Sequence, residues 1–149
     1  MVAAYDLIVI HNSEQKSFVN DFGSGVETCN TPNWAIKELA SNDWKDCEGR
    51  DYYIPSDGLL FGEAELEIDL CYSGKYNTWT DVCDSILDFM RKGEMQVYCG
   101  YSKEGWTSCI FSAISDVDYY ADEMSGDVVE YTIKFKIMKY EKMASVPSV

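Results

Sequence analysis

Acidic residues recur at every second position in one stretch: Glu63, Glu65, Glu67 and Asp69 alternate with Ala64, Leu66, Ile68 and Leu70. Carboxylates in that pattern could hold a cation, serve as the acid and base of a glycosidase, or make an electrostatic surface. Residues two apart on a strand stand roughly 7 Å apart, so one strand does not converge them on one ion. A glycosidase pair needs a second carboxylate across a cleft, at about 5–9.5 Å, and a sequence does not show that. The plainer reading is a solvated strand face. Lys134 and Lys136 in the last apolar run are then the natural cross-strand partners, each pair contributing about 0.2–1 kcal/mol. Asp116 and Asp118 read as a strand-end turn in preference to a metal site.

The rest of the chemical inventory is sparse. His11 is the only histidine, so any Ser-His-Asp or Cys-His machine would have to use it. It follows a strand near the N-terminus, and no nucleophile elbow occurs, so it reads as a surface or cap residue. Ser13 and Lys16 match an S-x-x-K pattern, but its companion motifs are absent. Gly23-Ser24-Gly25 lacks the third glycine of a phosphate cradle and reads as a loop. The six cysteines include no C-x-x-C pair, which is poor material for zinc. Cys71, Cys99 and Cys109 lie in apolar runs, where cysteine behaves as a small hydrophobe, so reduced thiols are expected. Aromatic side chains are plentiful. Trp34, Trp44, Tyr52, Tyr53 and Trp106, with Tyr119 and Tyr120, read as partly exposed loop residues that could stack a sugar or anchor an interface. No catalytic residue, metal site or cofactor is expected, and the chain reads as a non-enzyme.

The elements that must position these residues follow from periodicity. Ala64 to Tyr72 has period two, and so does Val129 to Tyr140. In the latter, Val129, Tyr131, Ile133, Phe135 and Ile137 share one face, while Glu130, Thr132, Lys134, Lys136 and Met138 share the other. These are expected to be long antiparallel strands buried on one side. Between them, Trp79, Val82, Cys83, Ile86, Leu87 and Met90 fall at helical spacing, which predicts a helix over about 79–92. Thr78 to Asp81 resembles a capping box, Arg91 and Lys92 suit the negative end of the dipole, and Gly93 suits a left-handed cap. Met95–Tyr101 and Trp106–Val117 read as a hairpin across Ser102–Gly105. Tyr119–Asp127 reads as an acidic loop, and Tyr5–Ile10 and Phe18–Phe22 as strands. Residues 30–54 read as an extended loop or arm with a helical turn near Trp34–Leu39, and 141–149 as a loose tail. The expected fold is mostly β: an antiparallel barrel or two-sheet sandwich with one helix inserted between strands.

With 149 residues and 46% hydrophobic content, the chain suits one globular domain spanning 1–149. Its net charge of −14 argues against bare nucleic acid or anionic membrane as a partner. No apolar run approaches the roughly 20 residues of a membrane span. Met1 to Asn12 lacks the basic region and cleavage site of a signal peptide, so secretion by that route is not expected.

The order of elements resembles the common fold of phage tail-tube proteins and the N-terminal ring domain of distal tail proteins. The segments that carry the likeness are Gly49–Pro55, Phe61–Tyr72, the helix end Leu87–Gly93, Met95–Tyr101, Thr107–Val117 and Tyr131–Lys139. It covers about residues 5–140 and rests on element order and hydrophobic pattern. Contractile injection devices share the fold. The resemblance implies a structural virion protein that forms a ring, expected to be hexameric, by sheet augmentation between neighbours, with the helix outside and a channel inside. Its partners would be copies of itself and neighbouring tail proteins, in the virion or in the host cytoplasm during assembly. The galectin-like domain that follows in many distal tail proteins has no counterpart in these residues, which leaves tail-tube and adaptor roles open. On this likeness Glu63, Glu65, Glu67 and Asp69 would line the channel, since an acidic lumen repels DNA phosphates. The competing expectations are a monomeric β-barrel or sandwich binding a small ligand or glycan through loop aromatics, and an enzyme using carboxylates on a sugar.

Overall fold

The structure is a computed structural model, which describes residues 2–37, 41–42, 51–52, 54–56 and 58–148. Alternating apolar residues build its centre. In β6 (Ala64–Gly74), Ala64, Leu66, Ile68, Leu70 and Tyr72 point inward; in β9 (Gly126–Ile137), Val129, Tyr131, Ile133, Phe135 and Ile137 do the same. These strands pair antiparallel without a register shift, from Ala64 opposite Ile137 to Gly74 opposite Asp127. Since a one-residue slip would turn every apolar side chain to solvent, the shared alternation fixes this register.

Around this pair lie β1 (Leu7–His11), β2 (Glu14–Ser17), β3 (Ser24–Cys29), β7 (Met95–Cys99) and β8 (Glu104–Asp122). Among the described residues they form a seven-stranded antiparallel sheet in the order β2-β1-β7-β8-β9-β6-β3. A separate two-stranded ladder joins β4 (Ser41–Asn42) to β5 (Asp51–Tyr52). The fold is therefore mostly β, as expected. One backbone bond ties the β3 side of the sheet to the segment before β1: Val26 N–H in β3 donates to Tyr5 O at 2.7 Å. Beside this bond the buried carboxylate of Asp6 accepts from Leu7 N–H, Val19 N–H and the Ser17 hydroxyl. Gly100 is required here, because a Cβ at that position would lie 2.0 Å from Ala3 O.

Two helices occur among the described residues, where one was expected. Phe18–Phe22, expected as a strand, is the short helix α1. Ser17 caps it by accepting from Asn20 N–H, and the Phe18 and Phe22 rings, four residues apart, meet edge to face at 4.9 Å. Gly23 closes it in the left-handed conformation, and Ser24-Gly25, expected in a loop, begin β3. The second helix, α2 (Trp79–Met90), is the one the apolar stripe predicts. Trp79, Ile86, Phe89 and Met90 face the core; Leu87 is exposed, and Phe89 takes its place. Trp79 packs between the rings of Tyr72 and Tyr131.

The expected capping box does not form. Thr78 has helical backbone angles and makes no side-chain cap bond; its hydroxyl meets Lys75 O and Tyr72 Oη instead. The cap comes from a distant residue. Asp127, fully buried at the start of β9, accepts from Asn77, Thr78 and Trp79 N–H at 2.9–3.0 Å and from the Tyr119 hydroxyl at 2.9 Å.

Other segments differ from the sequence reading. β8 runs on to Asp122, so most of the expected Tyr119–Asp127 loop is strand. Asp116 and Val117 sit in a β-bulge opposite β9, with Asp116 at φ 53°, and not in a strand-end turn. Trp34–Lys37 forms no helical turn: Ile36 bridges Phe61, Lys37 N–H donates to Leu60 O and Gly62 N–H to Ala35 O. Leu39 lies outside the described residues, as does most of the expected arm. The stretch 141–148, expected to be loose, is tied to the hairpin through Thr107 N–H to Glu141 O and Met143 N–H to Gly105 O.

The Asp127 cap makes a prediction. Burial alone would raise its pKa, but the donors at Asn77, Trp79, Tyr119 and Thr78 outweigh that and hold it below the ordinary carboxylate range. A depressed folded-state pKa stabilises the protein above about pH 4 and is lost as pH falls through the folded value. Asp127→Asn should lower the melting temperature at pH 7 by about 2–4 °C, because the amide leaves part of the donor set facing an NH2 group. The gap between variant and parent should narrow toward pH 3, as read by circular dichroism melts; an equal gap at every pH would contradict the charged cap.

Candidate functional site

Glu65, Glu67 and Asp69 lie on the outer face of β6, opposite the core, and Glu63 immediately precedes the strand. Glu63, Glu65 and Asp69 are exposed and Glu67 is half-buried. The ladder sets Glu67 opposite Lys134 and Glu65 opposite Lys136. Lys134 Nζ lies 3.7 Å from Glu67, while Lys136 reaches past its opposite residue to Glu63 at 3.6 Å. All four ionic side chains remain substantially exposed, so each pair contributes little to stability.

Asp69 is held differently. It sits between Thr28 of β3 and Thr132 of β9, and both hydroxyls donate to it, at 2.7 and 2.6 Å. These bonds, Thr132 first and Thr28 second, lower its pKa against a small opposing effect of burial. Next to it the sheet bends at the β8 bulge and forms a shallow groove of about 280 Å³. Glu27, Asp69, Asp116, Asp118 and Glu130 line this groove. The acidic surface is thus wider than one strand and takes carboxylates from β3, β6, β8 and β9. Among the described residues, no group of three or more His, Cys, Asp or Glu side chains is arranged to hold a metal ion.

The expected loop aromatics separate. Trp106 is not in a loop: it lies in β8 and is buried. Trp34 packs on it at 5.3 Å, joined by Phe61 and Tyr140, two residues the sequence reading did not single out. The cluster holds the 30–37 segment against the hairpin, with Lys142 Nζ 5.6 Å above the Trp106 ring. Tyr52 belongs to β5, and Trp44 and Tyr53 lie outside the described residues.

The sequence reading also missed a free strand edge. β7 is five residues long and pairs with β8 only as far as Cys109. From Ile110 to Asp122 the opposite edge of β8 has no strand partner among the described residues, and Val117, Tyr119 and Tyr120 on it are exposed. Met124 at the β8–β9 turn is 95% exposed. No period or motif signals this edge, because it arises from the difference in length between two neighbouring strands.

No family model matches the chain, and no curated protein matches it either. No described helix is long and apolar enough to cross a membrane.

The acid–lysine ladder is testable by a double-mutant cycle. Glu67→Lys, Lys134→Glu and the double variant should give a coupling of about 0.2–1 kcal/mol in urea unfolding, shrinking as salt is added. A coupling that does not change with salt would mean the residues interact through packing and not charge.

Proposed function

We propose that this chain is a structural component of a phage tail or phage-derived injection apparatus, assembling into a ring, as a hexamer, around a channel. The observation that carries the reading is the free β8 edge between Ile110 and Asp122. An unpaired edge of this length displays open N–H and C=O groups, and isolated proteins ordinarily shorten, charge or cover such edges. Here exposed Val117, Tyr119 and Tyr120 lie along it among exposed Asp116, Asp118 and Asp122, so a strand that pairs there must accommodate those acids. A neighbouring copy that adds a strand would satisfy the backbone groups and cover those side chains. The two register shifts of β8 against β9 bend this edge, so a strand added there must follow that bend.

The element order adds support, since a helix inserted between β6 and β7 of one antiparallel sheet is the arrangement the tail-tube likeness implies. The acidic outer face is consistent with a wall that repels a nucleic acid in transit, with Glu63, Glu65, Glu67 and Asp69 facing the lumen. On this reading the protein has no catalytic role and binds no cofactor; its partners are other copies of itself and adjoining tail proteins. A second reading, a monomer binding a glycan or small ligand, draws on the half-buried Trp34 and exposed Phe61 and Tyr140. The acidic groove gives that reading little support, since small-ligand pockets are mostly apolar and at least about 300 Å³.

Light scattering across concentration, with negative-stain images of the same sample, tests the proposal. Rings or stacked tubes are expected. Val117→Asp combined with Tyr120→Asp should abolish them while leaving the circular dichroism spectrum unchanged, whereas Glu65→Lys with Glu67→Lys should leave rings intact. A monomer at every concentration, identical in parent and edge variant, would overturn the proposal and favour the ligand-binding reading.

A further inference from the structure

The β6–β9 ladder carries an exposed apolar cluster at each end. Beyond the Ala64–Ile137 pair, Phe61 and Tyr140 continue the same register on the two sides, and their rings meet at 4.9 Å. Trp34 packs on both rings, and Ile36 is bridged to Phe61. Ile36, Leu60, Phe61 and Tyr140 are all exposed. At the other end, beyond the Gly74–Asp127 pair, Asn77 N–H and the Tyr119 hydroxyl meet on one oxygen of Asp127. That shared acceptor brings the turn that carries Tyr76 to the Tyr119 side chain. Tyr76 and Tyr119 are exposed, and Met124 projects from the adjoining β8–β9 turn. The eleven residues of β6 set the two clusters roughly 35 Å apart. Single exposed apolar residues are ordinary, but clusters of them mark an interaction surface.

The charges around the two ends differ. Exposed Lys37, Lys139 and Lys142 rim the Phe61 end, and Lys142 also lies over the Trp106 ring of that cluster. Two of the acids nearby are already paired, Glu63 with Lys136 and Glu104 with Lys142, and Glu141 is the third. Exposed Asp118, Asp122 and Glu123 rim the Met124 end, with Lys75 as their neighbouring cation. Contact between two Met124 ends would set acid against acid. Contact between opposite ends sets lysine against acid. The side chains also match: an unbranched thioether such as Met124 packs well on the edges of aromatic rings, and the Phe61 end offers three.

We propose that the Met124 end of one copy docks on the Phe61 end of a second copy, head to tail along the strands. The contact covers both apolar clusters and sets Lys37 and Lys139 against Asp122 and Glu123. It is heterologous, so each copy keeps one unused end, and repetition builds an open row. It goes beyond the ring reading, because it runs along the strands and not across the sheet, and it uses none of the open backbone groups of β8.

The test uses the full chain carrying Val117→Asp and Tyr120→Asp, which removes the β8 contact and so separates the outcome from the ring reading. Sedimentation velocity across concentration at low salt should show a growing series of oligomers that recedes as salt is added. Adding Tyr76→Asp and Met124→Asp should raise the protein concentration needed for the same average mass roughly tenfold or more, with the circular dichroism spectrum unchanged. In place of that pair, Lys139→Glu and Glu123→Lys should each weaken association when added alone. Mixed one to one, those two variants should associate again, since the unaltered Glu123 of one meets the unaltered Lys139 of the other and the two reversed charges meet each other. A monomer at every concentration, association undiminished by Tyr76→Asp with Met124→Asp, or no recovery on mixing would each overturn the proposal. Rings formed by the parent chain alongside any of those results would leave the ring reading standing.

Discussion

The unshifted pairing of β6 with β9 is the constraint on which the rest of the structure depends. Each strand buries every second residue, and the two alternations agree from Ala64–Ile137 to Gly74–Asp127. Burial of one face fixes the other by default, so the acidic row and its lysines face solvent because Leu66, Ile68, Phe135 and Ile133 do not. The candidate functional surface is thus a by-product of core register. Asp69 and Thr132 meet for the same reason, as do Glu67 and Lys134.

Asp127 links this ladder to the helix. Its carboxylate satisfies three N–H groups at the start of α2, and those groups would otherwise lack partners. Placing the cap on β9 and not on the helix's own flank ties α2 to the strand it must cover. Tyr119 joins from β8, so one buried side chain coordinates helix, ladder and hairpin. Gly126 allows the approach: it has positive φ, and a Cβ there would lie 2.2 Å from Gly74 O.

The elements legible in the sequence were those with a sustained period. β6, β9 and α2 each repeat over nine or more residues, and their burial is what the repeat indicates. Phe18–Phe22 misled because five residues with apolar ends fit either period; Ser17 and Gly23, its caps, carried the signal for helix. Tyr119–Asp122 misled because both its faces are exposed, so strand pairing left no alternation to read. The acid–lysine partnership was legible, since register follows from burial. The wider groove was not, because Glu27 and Asp118 join it only through strand order and a bulge.

The topology also bears on how the chain reaches this state. β8 and β9 are joined by a short turn and can pair early. The remaining central contacts are remote in sequence: β3 pairs with β6, β6 with β9 and β1 with β7 through partners as far apart as Ser24 and Tyr72, Ala64 and Ile137, and Leu7 and Cys99. Loop-closure entropy must be met before those ladders give any return, so acquisition of the native sheet should be slow, on the order of milliseconds to seconds. During that interval the β9 edge awaiting β6 and the β7 edge awaiting β1 are open alongside the β8 edge that stays open afterwards. A nascent chain therefore presents sticky borders on both sides of the β7–β8–β9 unit, and folding leaves only the one along β8 uncovered there.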